Sequence, residues 1–416
     1  MTRPLWTRLV VGLAVMSPAA WSQSFLPDAT LAIEAIEQQA EVLAADEYAA
    51  AIDAEARALA IGSYELSASM IQQRRRTESG RSLDEFEVQL GQSVRLPGKA
   101  ALDRRIGAHS RSIAALERGE TAHEVAHRLL DVWMSWLRAA ATEEAAKDQL
   151  QSLVTEQASL VRRVELGDAA QLDLDLMTAE LAQARATALR VEAATAVARH
   201  ALVTDFPQLP LPPQAPLLPE PQRLAEALEY WVARIQSDDY ELKTVEEVAA
   251  RQAVIAQRAN ADRLPDPTIG VRVLNEGGGD ERAVGVVFSM PLPGRYRNEL
   301  ARVQRAQARA AQRNVETVRR ELTKTSTMKV TLAANAYEHW QAQSHASQSM
   351  QAAARRTQRA WELGEIGLAE KLLAARQVRD LTYQELAARA DAHEAQLRMR
   401  IDAHDLWHAA RDGEGH

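Results

Sequence analysis

Three groups of residues in this 416-residue chain have types and spacings suited to chemistry. The first is "HEVAH" at 123–127, which fits H-E-x-x-H. Two histidines four apart on a helix can bind zinc, with Glu124 as the general base. In such a site Glu143 or Glu144 would be the third ligand. A catalytic zinc needs that ligand on another element, and a substrate cleft, and the sequence points to neither. The stretch lies about a third of the way along a Pro-free run from Leu102 to Arg163, where His, Glu and Ala are ordinary surface choices. Its counterpart in the second half of the chain, "RRELTK", carries no ligands. The second group is His404 and His408, with Asp405 between them and His416 at the end. Two histidines alone do not complete a metal site, and this group reads as a solvated helix end. The third is a pair of acids, Asp173 and Glu370, each six residues after a glycine, Gly167 and Gly364. Acids in a first helical turn complement the macrodipole. No catalytic residue, metal site or cofactor is assigned.

The elements that must carry these residues follow from composition and pattern. Cys is absent, aromatics are few, and a quarter of the residues are charged. Long stretches of Ala, Arg, Glu and Gln are the composition of long, closely packed helices. A formal net charge of -8 with no basic domain gives no support to a nucleic-acid partner, and none is expected. Trp133, Trp136, Trp340, Trp361 and Trp407 share no spacing and read as packing residues.

The N-terminus reads as a targeting segment. Arg3 and Arg8 precede the apolar "LVVGLAVM" (9–16), and "SPAAWS" (17–22) supplies small residues for cleavage near Ser22. The apolar run is too short to span a bilayer as a helix. The mature chain is therefore expected outside the cytoplasm: periplasmic, secreted, or held in an outer membrane by strands. With no Cys, no lipid-modified N-terminal Cys can tether it.

Beyond residue 22 the chain repeats itself. In residues 23–205, a helix (24–62) precedes two alternating runs, "YELSASMI" (64–71) and "EFEVQLGQSVRL" (85–96), with a polar tip between them. Tyr64, Leu66, Ala68 and Met70 share one face, as do Phe86, Val88 and Leu90; period two marks a strand pair. Pro97 and Gly98 end the second strand, a long helix runs to the turn at Gly167, and another continues to about Thr204. Residues 206–221, "FPQLPLPPQAPLLPEP", hold seven of the fifteen prolines and form a linker. The order then recurs in 222–408: a helix to about 262, a hairpin with "NEGGGDE" at its tip, Pro293 and Gly294, a helix from about Arg297 to Leu363, and a last helix reaching about His408; 409–416 form a tail. Leu96–Pro97–Gly98 and Leu292–Pro293–Gly294 lie 196 apart, and Glu165–Leu166–Gly167 and Glu362–Leu363–Gly364 lie 197 apart. Two marks that keep register over such a distance identify a tandem duplication.

Four strands cannot close a barrel, and open edges are not tolerated in lipid. Several chains must pool them; three would give twelve strands and twelve long helical segments. Here the residues resemble the TolC-like outer-membrane efflux proteins over about 30–408. The resemblance rests on the duplicated order, on "LPGK" and "LPGR" after the hairpins, and on the mirrored "RRVELGD" and "RAWELGE". "SVRLPGKAALDRR" looks most like the branch serving heavy-metal efflux pumps.

The resemblance implies a mainly α fold with a membrane β-barrel portion: a homotrimer with a 12-stranded barrel in outer-membrane lipid and an α-barrel across the periplasm. It implies docking on a periplasmic adaptor and an inner-membrane pump of the RND type, with no reaction catalysed. Drug efflux and type I protein secretion are alternatives within that class; an exported coiled-coil scaffold or a metalloprotease is the alternative outside it. The resemblance also assigns Asp173 and Glu370 to a periplasmic aperture, although the family's second acid is Leu373 here. The turns at Gly167 and Gly364, the points furthest from the hairpins, are expected to meet the adaptor. Arg162, Leu166, Arg359 and Leu363 flank them.

Overall fold

The computed structural model describes residues 25–408; the expected signal segment, 1–22, and the tail, 409–416, lie outside the described residues. The chain runs α1 (Ala29–Glu37), α2 (Ala40–Ile61), β1 (Leu66–Arg76), β2 (Ser82–Ser93), α3 (Lys99–Glu165) and α4 (Gln171–Asp205). It continues with α5 (Leu228–Asp238), α6 (Tyr240–Ala261), β3 (Thr268–Glu276), β4 (Glu281–Ser289), α7 (Arg295–Glu362) and α8 (Leu368–Asp402). The fold is thus mainly helical, with helix, hairpin, long helix, turn and helix occurring twice. The helices α3 and α7 have 67 and 68 residues. At 1.5 Å per residue each is about 100 Å long.

The two hairpins join into one antiparallel sheet, in the order β1-β2-β3-β4. The central seam pairs the two halves of the chain, with Leu90 opposite Val271 and Val88 opposite Val273. Near the sheet, α2, α3, α6 and α7 lie side by side; further away the neighbours are α4, α3, α8 and α7. The first half therefore packs on the second through α3, which touches both α6 and α8.

Small cores are strung along this wall. The largest surrounds the middle of α3, where Leu129, Leu130, Trp133, Met134 and Leu137 meet Phe25, Leu202, Phe206 and Leu397. The Trp133 indole donates to the Phe25 carbonyl at 2.9 Å. The Pro-rich linker joins the same core through Leu209 and Leu218. Arg389, His393 and Gln396 of α8 donate to the carbonyls of Leu218, Pro219 and Gln222. The linker is a packed belt as well as a connection, because its apolar side chains enter the core and α8 satisfies carbonyls at its C-terminal end.

Several boundaries differ from the sequence expectation. The helix expected over 24–62 breaks at Gln39, whose extended backbone lets its side chain donate to the Asp205 carbonyl at 2.9 Å. The helix expected over 222–262 breaks at Asp239, whose carboxylate caps α6 by accepting from the Leu242 N–H at 2.7 Å. Strand β1 extends into the expected polar tip as far as Arg76, since Arg74 and Arg75 pair across the hairpin with Asp84 and Glu85. The last helix ends at Asp402, short of His408, with His404 and Trp407 at positive φ.

Candidate functional site

The sheet is inverted relative to a water-soluble one. Leu66, Ala68 and Met70 stand opposite Gln92, Leu90 and Val88, which stand opposite Ile269, Val271 and Val273, and these opposite Phe288, Val286 and Val284. Directly opposed residues share a face, so an almost wholly apolar set covers one side. That side is exposed: Val286 retains 80% of its surface, Phe288 66% and Met70 66%. The other face carries Ser67, Gly91, Gly270 and an Arg272–Glu87 ion pair at 2.9 Å. A Cβ on Gly270 would lie 2.4 Å from the Leu90 carbonyl oxygen, so the close approach of β2 and β3 at that point requires glycine. The second face is mixed, since Ile71, Leu274 and Val287 also lie on it; an exposed and almost wholly apolar first face, over strands of 9–12 residues, is the pattern of a strand set that faces lipid. Strands β1 and β4 are each paired on one side only.

Between sheet and helices sits a buried ion cluster. Gly98, the residue that precedes α3 as its N-cap, has φ 87°, a conformation that favours glycine. Gly294, its counterpart, is extended. Lys99, 2% exposed, contacts Asp262 Oδ1 at 3.0 Å and Asp266 Oδ1 at 2.9 Å, and donates to the Leu264 carbonyl. Asp266 also accepts from the Leu96 N–H and the Tyr64 hydroxyl. Burial alone would raise its pKa, but these donors and the Lys99 charge outweigh burial and hold Asp266 below the usual carboxylate range. The lysine of "LPGK" thus ties the first half to the segment joining α6 to β3.

At the opposite end the two turns are built alike. Leu166 and Leu363 close their helices with nearly identical dihedrals, and Gly167 and Gly364 follow at φ 80° and 75°. The Asp168 and Glu365 N–H groups reach back to the Arg163 and Ala360 carbonyls, which completes a Schellman-type cap. Leu166 and Leu363 are 70% and 60% exposed, though nothing in their packing requires an apolar side chain there. Arg162 is exposed and Arg359 pairs with Glu362. The Trp361 ring links the two turns, with Arg163 and Lys371 each 5.3 Å from its centroid. Glu370 accepts from the Gly367 N–H at 2.8 Å, so it caps its own helix. Asp173 lies in the first turn of α4.

The two histidine groups read separately from the sequence lie together. His127 Nε2 is 3.0 Å and His123 Nε2 3.4 Å from the same oxygen, Oδ1 of Asp402. The His123 ring is 5.4 Å from that of His404, which stacks on His408. Asp402, at the end of α8, is therefore the third donor on another element that the sequence did not disclose. It lies 275 residues from His127, and no spacing motif spans such a distance. Its other oxygen is 2.9 Å from Lys329 of α7. Burial would raise the Asp402 pKa, but the two imidazoles and Lys329 reverse this and hold it far below normal. Burial pushes His404 down to about 4, assisted by His408 and His123. Burial, reinforced by Asp239, Glu124 and Glu241 and opposed by His123, raises the pKa of Glu120 on the same cavity.

No family model matches the sequence, and no curated protein matches it significantly. Solved structures do match. The chain superposes on the transmembrane channel CusC with a TM-score of 0.74 at 14% identity, covering 96% of this chain and 98% of that one. For the Campylobacter jejuni outer-membrane channel CmeC the values are 0.73 and 12%, covering 99% and 95%. For the Vibrio cholerae outer-membrane protein VceC they are 0.72 and 15%, covering 93% and 99%. The chain shares the fold of these channel proteins over nearly its whole described length.

Proposed function

We propose that the protein is the outer-membrane duct of a tripartite efflux system, a TolC-like channel that catalyses no reaction. The observation that carries this reading is the sheet: one exposed face is almost wholly apolar, and both edge strands lack a partner among the described residues. Such edges are intolerable in lipid unless other copies close them. The chain exposes 26553 Å². A compact monomer of its mass would expose about 16,000 Å². The excess fits a protomer that is one section of a wall.

The internal duplication supplies the register of closure. Within the chain, β2 meets β3 with Gln92 opposite Ile269, Leu90 opposite Val271 and Val88 opposite Val273. Strand β4 repeats β2, and β1 repeats β3. The same pairing between chains sets Phe288 against the partner subunit's Leu66, Val286 against the partner subunit's Ala68, and Val284 against the partner subunit's Met70. Every apolar row then continues around a barrel. Three copies give twelve strands, and the homotrimer carries its helices into the periplasm. The turns at Gly167 and Gly364 face the adaptor and the inner-membrane pump of this assembly, and Asp173 and Glu370 line its aperture.

The cargo in this reading is a heavy-metal cation, supported by the likeness of "SVRLPGKAALDRR" to that branch. Membrane fractionation tests the duct: the protein is expected in the outer membrane as a trimer, and recovery as a soluble periplasmic monomer would contradict the reading. Deleting the gene should raise sensitivity to at least one transition metal. A strain indifferent to metals but sensitised to dyes or detergents would move the cargo to drugs.

A further inference from the structure

We infer that each protomer holds one divalent transition-metal ion of the zinc class, bound by His123, His127 and Asp402. This site stands apart from transport and does not depend on the cargo. Three observations carry it. One donor atom from each of the three residues lies within 4.8 Å of the other two. The separations from Asp402 Oδ1, 3.0 Å to His127 and 3.4 Å to His123, bracket the edge of a tetrahedron of donors about 2.05 Å from a central ion, which is about 3.3 Å. The His123 contact is long for a hydrogen bond but suits two donors sharing an ion. Second, both imidazoles place Nε2, and not Nδ1, against that one carboxylate oxygen, so the three donors converge from two helices.

Third, the cavity of about 330 Å³ on which the three residues border is acidic. Glu120, Glu124, Asp239 and Glu241 line it, and Lys329 is its one Lys or Arg among the described residues. Lys329 binds Asp402 Oδ2, which leaves Oδ1 turned toward the imidazoles. Its charge opposes a cation, but the surrounding acids exceed it. Imidazole with carboxylate suits zinc, cobalt or nickel better than calcium or magnesium, which prefer all-oxygen sets. Binding at both Nε2 atoms leaves each ring proton on Nδ1. The fourth position belongs to water from the cavity. The ion would staple the middle of α3 to the end of α8, where the wall has no other covalent or metal tie among the described residues.

The test uses the purified full-length trimer in detergent, without a histidine tag, stripped with chelator and then titrated with Co²⁺ and Zn²⁺. One ion per protomer is expected, with the visible absorption of tetrahedral cobalt and a higher Tm in zinc. His127→Ala and Asp402→Asn should each lose more than the about 10–100-fold in affinity typical of an outer-shell change. His123→Gln, which keeps a polar side chain, gives the same readout if either variant fails to assemble. His339→Ala, a remote control, should bind as the parent does. A parent trimer that takes up neither ion saturably would overturn the inference, as would unchanged uptake by the ligand variants.

Discussion

A single buried lysine decides how the hairpins join the helices. Lys99 meets two carboxylates and a carbonyl while almost wholly out of water. Removing one member of a buried charged set leaves its partners uncompensated, at a cost of about 3–5 kcal/mol. Part of the cluster is open, since Asp262 is 40% exposed, so Lys99→Met should sit at the lower end of that range. Thermal unfolding of the detergent-solubilised trimer reads it, and an unchanged Tm would show that the cluster contributes nothing. The acid in the set also sets a pH dependence. Asp266 has its pKa lowered by folding, so its contribution is complete above its unfolded value, about 3.9, and is lost as pH falls through the folded value. Stability from this group should be flat from pH 8 to 5 in the parent and decline only below about pH 4; Asp266→Asn should remove that part of the acid decline.

"LPGK" was legible as a turn, but the role of its lysine was not. Its acidic partners lie in an unremarkable connection that follows α6, and only the meeting of the two halves reveals them. Asp402 escaped for the same reason. The histidines at 123, 127, 404 and 408 stood out by type, whereas a lone aspartate at a helix end has no signature.

Elements were legible where their period was long or their punctuation chemical. The glycines at 167 and 364 marked both distal turns, and the alternating runs marked all four strands. Helix breaks at Gln39 and Asp239 were not legible, because neither residue is a breaker; each break is stabilised by a side-chain hydrogen bond formed on folding. The end of β1 was hidden by its charge: "QQRRR" looks like a loop until Asp84 and Glu85 stand across from it.

The matched caps carry two expectations. At Gly167 and Gly364 a Cβ would meet nothing within 4 Å, so only the positive φ resists substitution. Gly167→Ala and Gly364→Ala should each cost about 1–2 kcal/mol, read as a lower Tm of the trimer. A Tm equal to the parent would mean the turns adopt another conformation. Replacing the exposed Leu166 and Leu363 together with Asp should leave the trimer intact but abolish crosslinking to its adaptor and efflux. Normal transport by that variant would place docking elsewhere.

For the whole molecule, the duplication is the organising fact. It was readable from two marks nearly two hundred residues apart, and in the proposed assembly it has a use, since a wall segment made of two like units would continue into the next chain with the same geometry. The region between the units was the least legible part, because a Pro-rich stretch reads as a tether while α8 in fact holds its carbonyls.

The central claim is that copies of the chain close one barrel in the register set by its own middle seam, and the absence of Cys makes a direct measurement possible. Met70→Cys and Val284→Cys are combined in one chain, purified from the outer membrane, oxidised and run on a denaturing gel. Within one chain these positions lie on β1 and β4, three strand spacings or about 14 Å apart, too far for a disulfide. The account predicts a covalent trimer from the double variant, none from either single variant, and little from Ile71→Cys with Val284→Cys, whose side chains lie on opposite faces. A double variant that stays monomeric, or that crosslinks no better than the off-face pair, would contradict it.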